Sequence, residues 1–149
     1  MTSTYVYDKA KYHDASIQKF GLPDEHACNH TIYFLRWLIE HDLMSDMFNR
    51  DGQDTLARFR SGECSIHELY EWWDRCLLSD MLSDEGNAFA SHYFDFNRGV
   101  YLKDYCAALQ GDLPTELHVP YGDESYRKLA TVIDSRFREW KRGKPWWKF

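Results

Sequence analysis

The segment Pro23-Asp24-Glu25-His26-Ala27-Cys28-Asn29-His30-Thr31-Ile32-Tyr33-Phe34-Leu35-Arg36-Trp37-Leu38-Ile39-Glu40-His41-Asp42-Leu43 decides how the rest of the chain is read. At about 100° per residue, Cys28, Ile32, Leu35, Ile39 and Leu43 fall on one helical stripe, widened by Thr31 and Leu38. His26, His30, Tyr33, Trp37 and His41 make a second stripe on another side, which leaves Glu25, Asn29, Arg36 and Glu40 for water. A helix covered on that much of its circumference belongs at the centre of a bundle. Pro23 suits a first helical turn, and Asp24 and Glu25 suit its positive dipole end.

Working outward, Ser65-Ile66-His67-Glu68 is a capping box opening an amphipathic pattern of Ile66, Leu69, Tyr70, Trp73, Cys76 and Leu77. Tyr126, Leu129, Ala130, Ile133, Phe137 and Trp140 repeat the pattern after Asp123, and Gly143 with Pro145 stops it. Shorter helices are predicted at 8–19, 53–60, 84–92 and 100–110, punctuated by glycines. Only Tyr93 to Phe96 and Glu116 to Val119 look strand-like, and both are too short to build a sheet around. The predicted fold is all-α: an irregular single-domain helical bundle of five to seven helices spanning 1–149 around a central helix at about 23–43, with a basic aromatic tail at 141–149.

The bulk numbers suit one domain. The chain has 149 residues, 44% hydrophobic, with an aromatic share of 17% that gives the core ample ring surface without a disulfide or metal. Cys28, Cys64, Cys76 and Cys106 fit neither a paired zinc spacing nor a compact disulfide framework, which points to free thiols in a reducing cytoplasm. Residues 1–4 are polar and no apolar run follows, so neither a signal peptide nor a membrane span is expected. Charge is divided unevenly: residues 1–126 carry 22 acidic against 10 basic side chains, and 127–149 carry 8 basic against 2 acidic. An acidic body favours basic partners and repels nucleic acid and anionic lipid.

Few motifs carry chemistry. His26 and His30 are four apart on one helix, a spacing that can bring two imidazoles to one metal, but Ala27 stands where the helical zinc-protease motif needs glutamate and no third ligand can be named. Asn49-Arg50-Asp51-Gly52 resembles the middle of a calcium loop, yet Met47 and Arg58 occupy its first and last ligand positions, so it reads as a turn capping the next helix. No nucleophile elbow or phosphate-cradling glycine loop is present. Trp73 belongs to a core stripe, while Trp72 lies at its edge among Glu68, Glu71 and Asp74, as an interface anchor would. The tail interleaves cations with rings, and folding back onto the acidic body is its expected fate.

Tyr7-Asp8-Lys9-Ala10-Lys11-Tyr12-His13, Gly21-Leu22-Pro23, His30-Thr31 and Phe34-Leu35-Arg36-Trp37-Leu38 resemble an uncharacterised family of small bacterial cytoplasmic proteins. Tyr93-Phe94-Asp95-Phe96, Tyr101-Leu102-Lys103-Asp104-Tyr105 and Arg136-Phe137-Arg138-Glu139-Trp140-Lys141 are similar to it too, whereas Leu117-His118-Val119 is more degenerate than the family pattern. The resemblance implies a bacterial stand-alone domain of the sort met among immunity and antitoxin-like proteins, and it brings no activity or catalytic set.

The expected function is a protein-binding module that neutralises a basic toxin or effector by covering its active surface, without cofactor, nucleic acid or membrane. Expected partner-binding residues are Asp42, Asp46, Asp51 and Asp54 after the central helix, and Glu68, Glu71, Trp72 and Asp74 on the next amphipathic one. The alternative is a metal-dependent enzyme using His26 and His30 with an acidic residue from another helix.

Overall fold

The computed structural model describes residues 4–143; the expected docking of residues 144–149 lies outside them. Its central element is α2 (His26–Glu40), in which twelve of fifteen residues are buried. The helix is shorter than the apolar pattern at both ends. Before it, His26 N–H and Ala27 N–H donate to the carbonyls of Pro23 and Asp24, three residues back, at 3.0 Å. After it, Asp42 adopts a φ of 56°, and Leu43 N–H reaches back to the Leu38 carbonyl at 3.0 Å. Asn29, expected at the surface, is buried, because the side chains of His26, Asn29 and Tyr33 hydrogen-bond the carbonyls of Leu117, Val119 and Pro120 at 2.7, 3.1 and 3.0 Å. That seam also explains Glu116–His118, read as strand-like: it is a 3-10 turn capped by Thr115, and the extended chain after it is held by side chains of α2 rather than by a sheet.

The helix predicted at 8–19 is three elements: strand β1 (Val6–Lys9), a 3-10 turn (Ala10–His13) and α1 (Asp14–Phe20). Downstream come α3 (Asp46–Asp51), α4 (Gln53–Arg60) and α5 (Ile66–Trp72). The 49–52 turn is therefore the end of α3 and its junction with α4. The Ser65 hydroxyl caps α5 by accepting from Glu68 N–H at 3.1 Å. The apolar pattern running on to Leu77 does not stay helical. Asp74 and Arg75 both take positive φ, 60° and 53°, and turn the chain into strand β2 (Cys76–Leu78), which pairs antiparallel with β1. Leu77 is buried all the same, so the pattern reported burial correctly and secondary structure wrongly.

The remaining helices are α6 (Asp84–Tyr93), α7 (Tyr101–Tyr105), which continues as a π-helical turn (Cys106–Gln110), and α8 (Asp123–Gly143). Tyr93 to Phe96, also read as strand-like, is the end of α6 and a turn in which Asp95 Oδ1 accepts from Asn97 N–H and Arg98 N–H. Gly99 closes that turn so tightly that a Cβ would fall 1.9 Å from the Tyr93 carbonyl oxygen. The fold is thus mostly helical, with one two-stranded sheet among the described residues, and its buried apolar residues, Cys64 apart, form one cluster. Phe34 of α2 packs near its centre, stacked on Phe94 and Trp37 with centroids 4.7 and 5.9 Å away. Among the described residues no helix is long and apolar enough to cross a membrane, and all four cysteines are free.

Candidate functional site

Two places combine unusual chemistry with a defined geometry. The first begins with a bulge in β1. Val6 is opposite Leu78 while Asp8 is opposite Leu77, so the ladder skips a residue and Tyr7 and Asp8 are both buried instead of alternating. Asp8, 1% exposed, would be costly to bury without partners. Three are provided: His13 Nε2 lies 2.8 Å from Oδ1, His30 Nε2 lies 3.2 Å from Oδ2, and Thr31 Oγ1 donates to Oδ2 at 2.6 Å. The two imidazoles meet edge to face with centroids 4.6 Å apart. Burial pushes the Asp8 carboxyl up, but the hydrogen bonds and charge of the two histidines overcome it and hold Asp8 far below the usual carboxylate range. Burial pulls His13 down, and its hydrogen bond and charge interaction with Asp8, helped by Glu116 and Asp14, raise it above the ordinary histidine value.

The ligating atoms of Asp8, His13 and His30 all lie within 4.8 Å of one another. His30 therefore has neighbours with metal-ligand chemistry, but they are not the one expected. Among the described residues His26 is not part of this cluster; its Nδ1 meets the Leu117 carbonyl at 2.7 Å. Nothing in the local sequence could link Asp8 and His13, five apart across a strand and a turn, to a helix whose register runs from residue 26. Asp8 falls at the first residue of the helix predicted at 8–19, and nothing in the sequence announces its burial on a strand.

The second place is Trp72, half exposed at 50%. Its ring packs edge-on against Trp73 at 4.8 Å, and Trp73 stacks on Phe48 at 4.6 Å. Gly52 makes room for this ladder, since a Cβ there would come within 2.8 Å of the Trp73 ring. The indole is thus mounted on the joint between α5 and the α3–α4 corner, with exposed Glu68, Glu71 and Asp74 in its own segment. Among the described residues none of these three is in an ion pair, whereas Asp51 pairs with Arg50 at 3.1 Å. Asp46 and Asp54 are exposed in the first turns of α3 and α4, where helix dipoles favour them. Asp42 lines a shallow depression with Asn49, Gln53 and Arg60. The Phe48–Trp73 stack joins α5 to the α3–α4 corner that carries Asp46, Asp51 and Asp54, and Asp42 faces the same corner through the depression it shares with Asn49 and Gln53.

Both places, and the seam between α2 and residues 117–120 almost to its end, fall within one stretch recognised by a family model, residues 6–119. The chain belongs to the DUF7832 family, a domain of unknown function. The family's stretch starts at β1 and stops just before Pro120, so α8 lies beyond it. No curated protein and no solved structure matches the chain.

Proposed function

We propose that this protein is a binding module of the immunity or antitoxin type, which captures a basic toxin or effector in the cytoplasm and covers its active surface with the face around Trp72. The observation that carries the reading is the mounting of Trp72: a large ring, half in water, fixed from behind by Trp73 and Phe48 and bordered by Glu68, Glu71 and Asp74, which pair with no cation among the described residues. A rigid aromatic anchor loses little conformational freedom on binding, and the surrounding carboxylates steer a cationic partner. The formal net charge of −6 acts in the same direction and disfavours nucleic acid.

Immobilised wild-type protein, Trp72→Ala and a Glu68→Gln/Glu71→Gln/Asp74→Asn variant should be compared for capture from an extract of the native cell at low salt. The reading requires a basic protein retained by wild type and lost or strongly depleted with both variants. Equal capture by all three would place the partner surface elsewhere.

A further inference from the structure

We propose that Asp8, His13 and His30 form a binding site for one divalent transition cation of the zinc class. The site is independent of the Trp72 face. Two imidazole nitrogens, donors of borderline softness, with one hard carboxylate oxygen suit zinc, iron or cobalt and are unlike the all-oxygen sets that magnesium and calcium take. The atoms are close to where such an ion needs them. With bonds of about 2.0–2.2 Å, donors around a tetrahedral centre stand ~3.3 Å apart; here His13 Nε2 is 2.8 Å from Asp8 Oδ1 and His30 Nε2 is 3.2 Å from Oδ2, and one ligand atom from each residue lies within 4.8 Å of the other two.

Two further features favour a cation over a purely hydrogen-bonded trio. Thr31 fixes the carboxylate from the side, the kind of outer contact that orients a metal ligand. His13 is 22% exposed and gives the buried pair a route to solvent, with Asp14 and Glu116 adding negative potential on that side. The ion would tie β1, the 3-10 turn and α2 together, one ligand from each.

The test uses untagged full-length protein freed of metal by chelator dialysis, then titrated with zinc and, separately, magnesium. One zinc per chain should bind and raise the melting temperature, with no rise from magnesium. His13→Ala, at a partly exposed position, should remain folded and lose zinc affinity by on the order of 100-fold or more, given that removing even an outer partner costs 10–100-fold. His26→Ala should keep it. In the wild-type chain, cobalt(II) should broaden the His13 and His30 ring resonances without a thiolate charge-transfer band, a readout that does not depend on any variant folding. No zinc binding, zinc binding unchanged by His13→Ala, or cobalt perturbing other residues instead would overturn the site.

Discussion

Asp42 and Asp74 hold the chain in a conformation that side chains rarely adopt. Each follows a helix, at φ of 56° and 60°, and each closes it with the same pair of hydrogen bonds: Asp42 N–H to Ile39 and Leu43 N–H to Leu38, then Asp74 N–H to Glu71 and Arg75 N–H to Tyr70. Gly21 and Gly62 end α1 and α4 by the same pattern, at φ of 65° and 84°. Replacing either aspartate with glycine should relieve left-handed strain and stabilise the protein by about 0.5–1 kcal/mol in urea melts. A loss of stability from both changes would show that their carboxylates serve the fold. Asp74→Gly should also weaken capture of a basic partner while leaving the protein more stable, which separates its two roles. Leu35 lies fully buried on α2, and Leu35→Ala should cost ~2–5 kcal/mol in thermal melting through the cavity it leaves; a loss under about 1 kcal/mol would contradict the central position of α2.

Elements were legible in the sequence where the signal is local and long. The stripes of α2, the Ser65 cap of α5 and the repeat from Tyr126 to Ile133 in α8 are signals of this kind, and the structure buries most of the stripe and repeat residues; His41 is exposed, and His26 and Ala130 are half-buried. What escaped depends on distant partners. β1 has four residues and β2 three, too few for a period of two to declare itself, and they pair across about seventy intervening residues. The end of α5 was invisible because aspartate, not glycine, takes the left-handed position. For the same reason His30 could be flagged but not supplied with Asp8 and His13, whose approach is set by the β1 bulge. Another long-range tie joins α8 to α7: Arg136 donates to both Asp104 oxygens, Nε at 2.9 Å and Nη2 at 3.0 Å, and the Tyr93 hydroxyl donates to Oδ2 at 2.8 Å. Arg136→Lys keeps the charge and loses the two-pronged geometry, so it should cost about 1 kcal/mol, tempered by the partial exposure of Arg136. Unchanged stability in urea would show that α8 is held by its apolar face alone.

At the scale of the whole molecule, most aromatic surface is buried, and at Trp72 an exposed ring stands among exposed carboxylates. Rings fill the core around Phe34, and the exposed Trp72 is backed by further rings. Among the described residues, Lys141 at the basic end pairs with Glu85 of α6, Nζ 2.9 Å from Oε1, and no cation pairs with Glu68, Glu71 or Asp74. The proposed capture face is rich in carboxylates, and fields of this kind speed encounter more than they tighten the final complex. The most direct test is stopped-flow association of the captured partner with wild type and with the Glu68→Gln/Glu71→Gln/Asp74→Asn variant across ionic strength. Association of the wild type should slow ~10-fold or more from low to physiological salt with little change in dissociation, and the variant should lose much of that dependence. Association that ignores salt, or a variant as salt-dependent as wild type, would contradict an acidic capture face at Trp72.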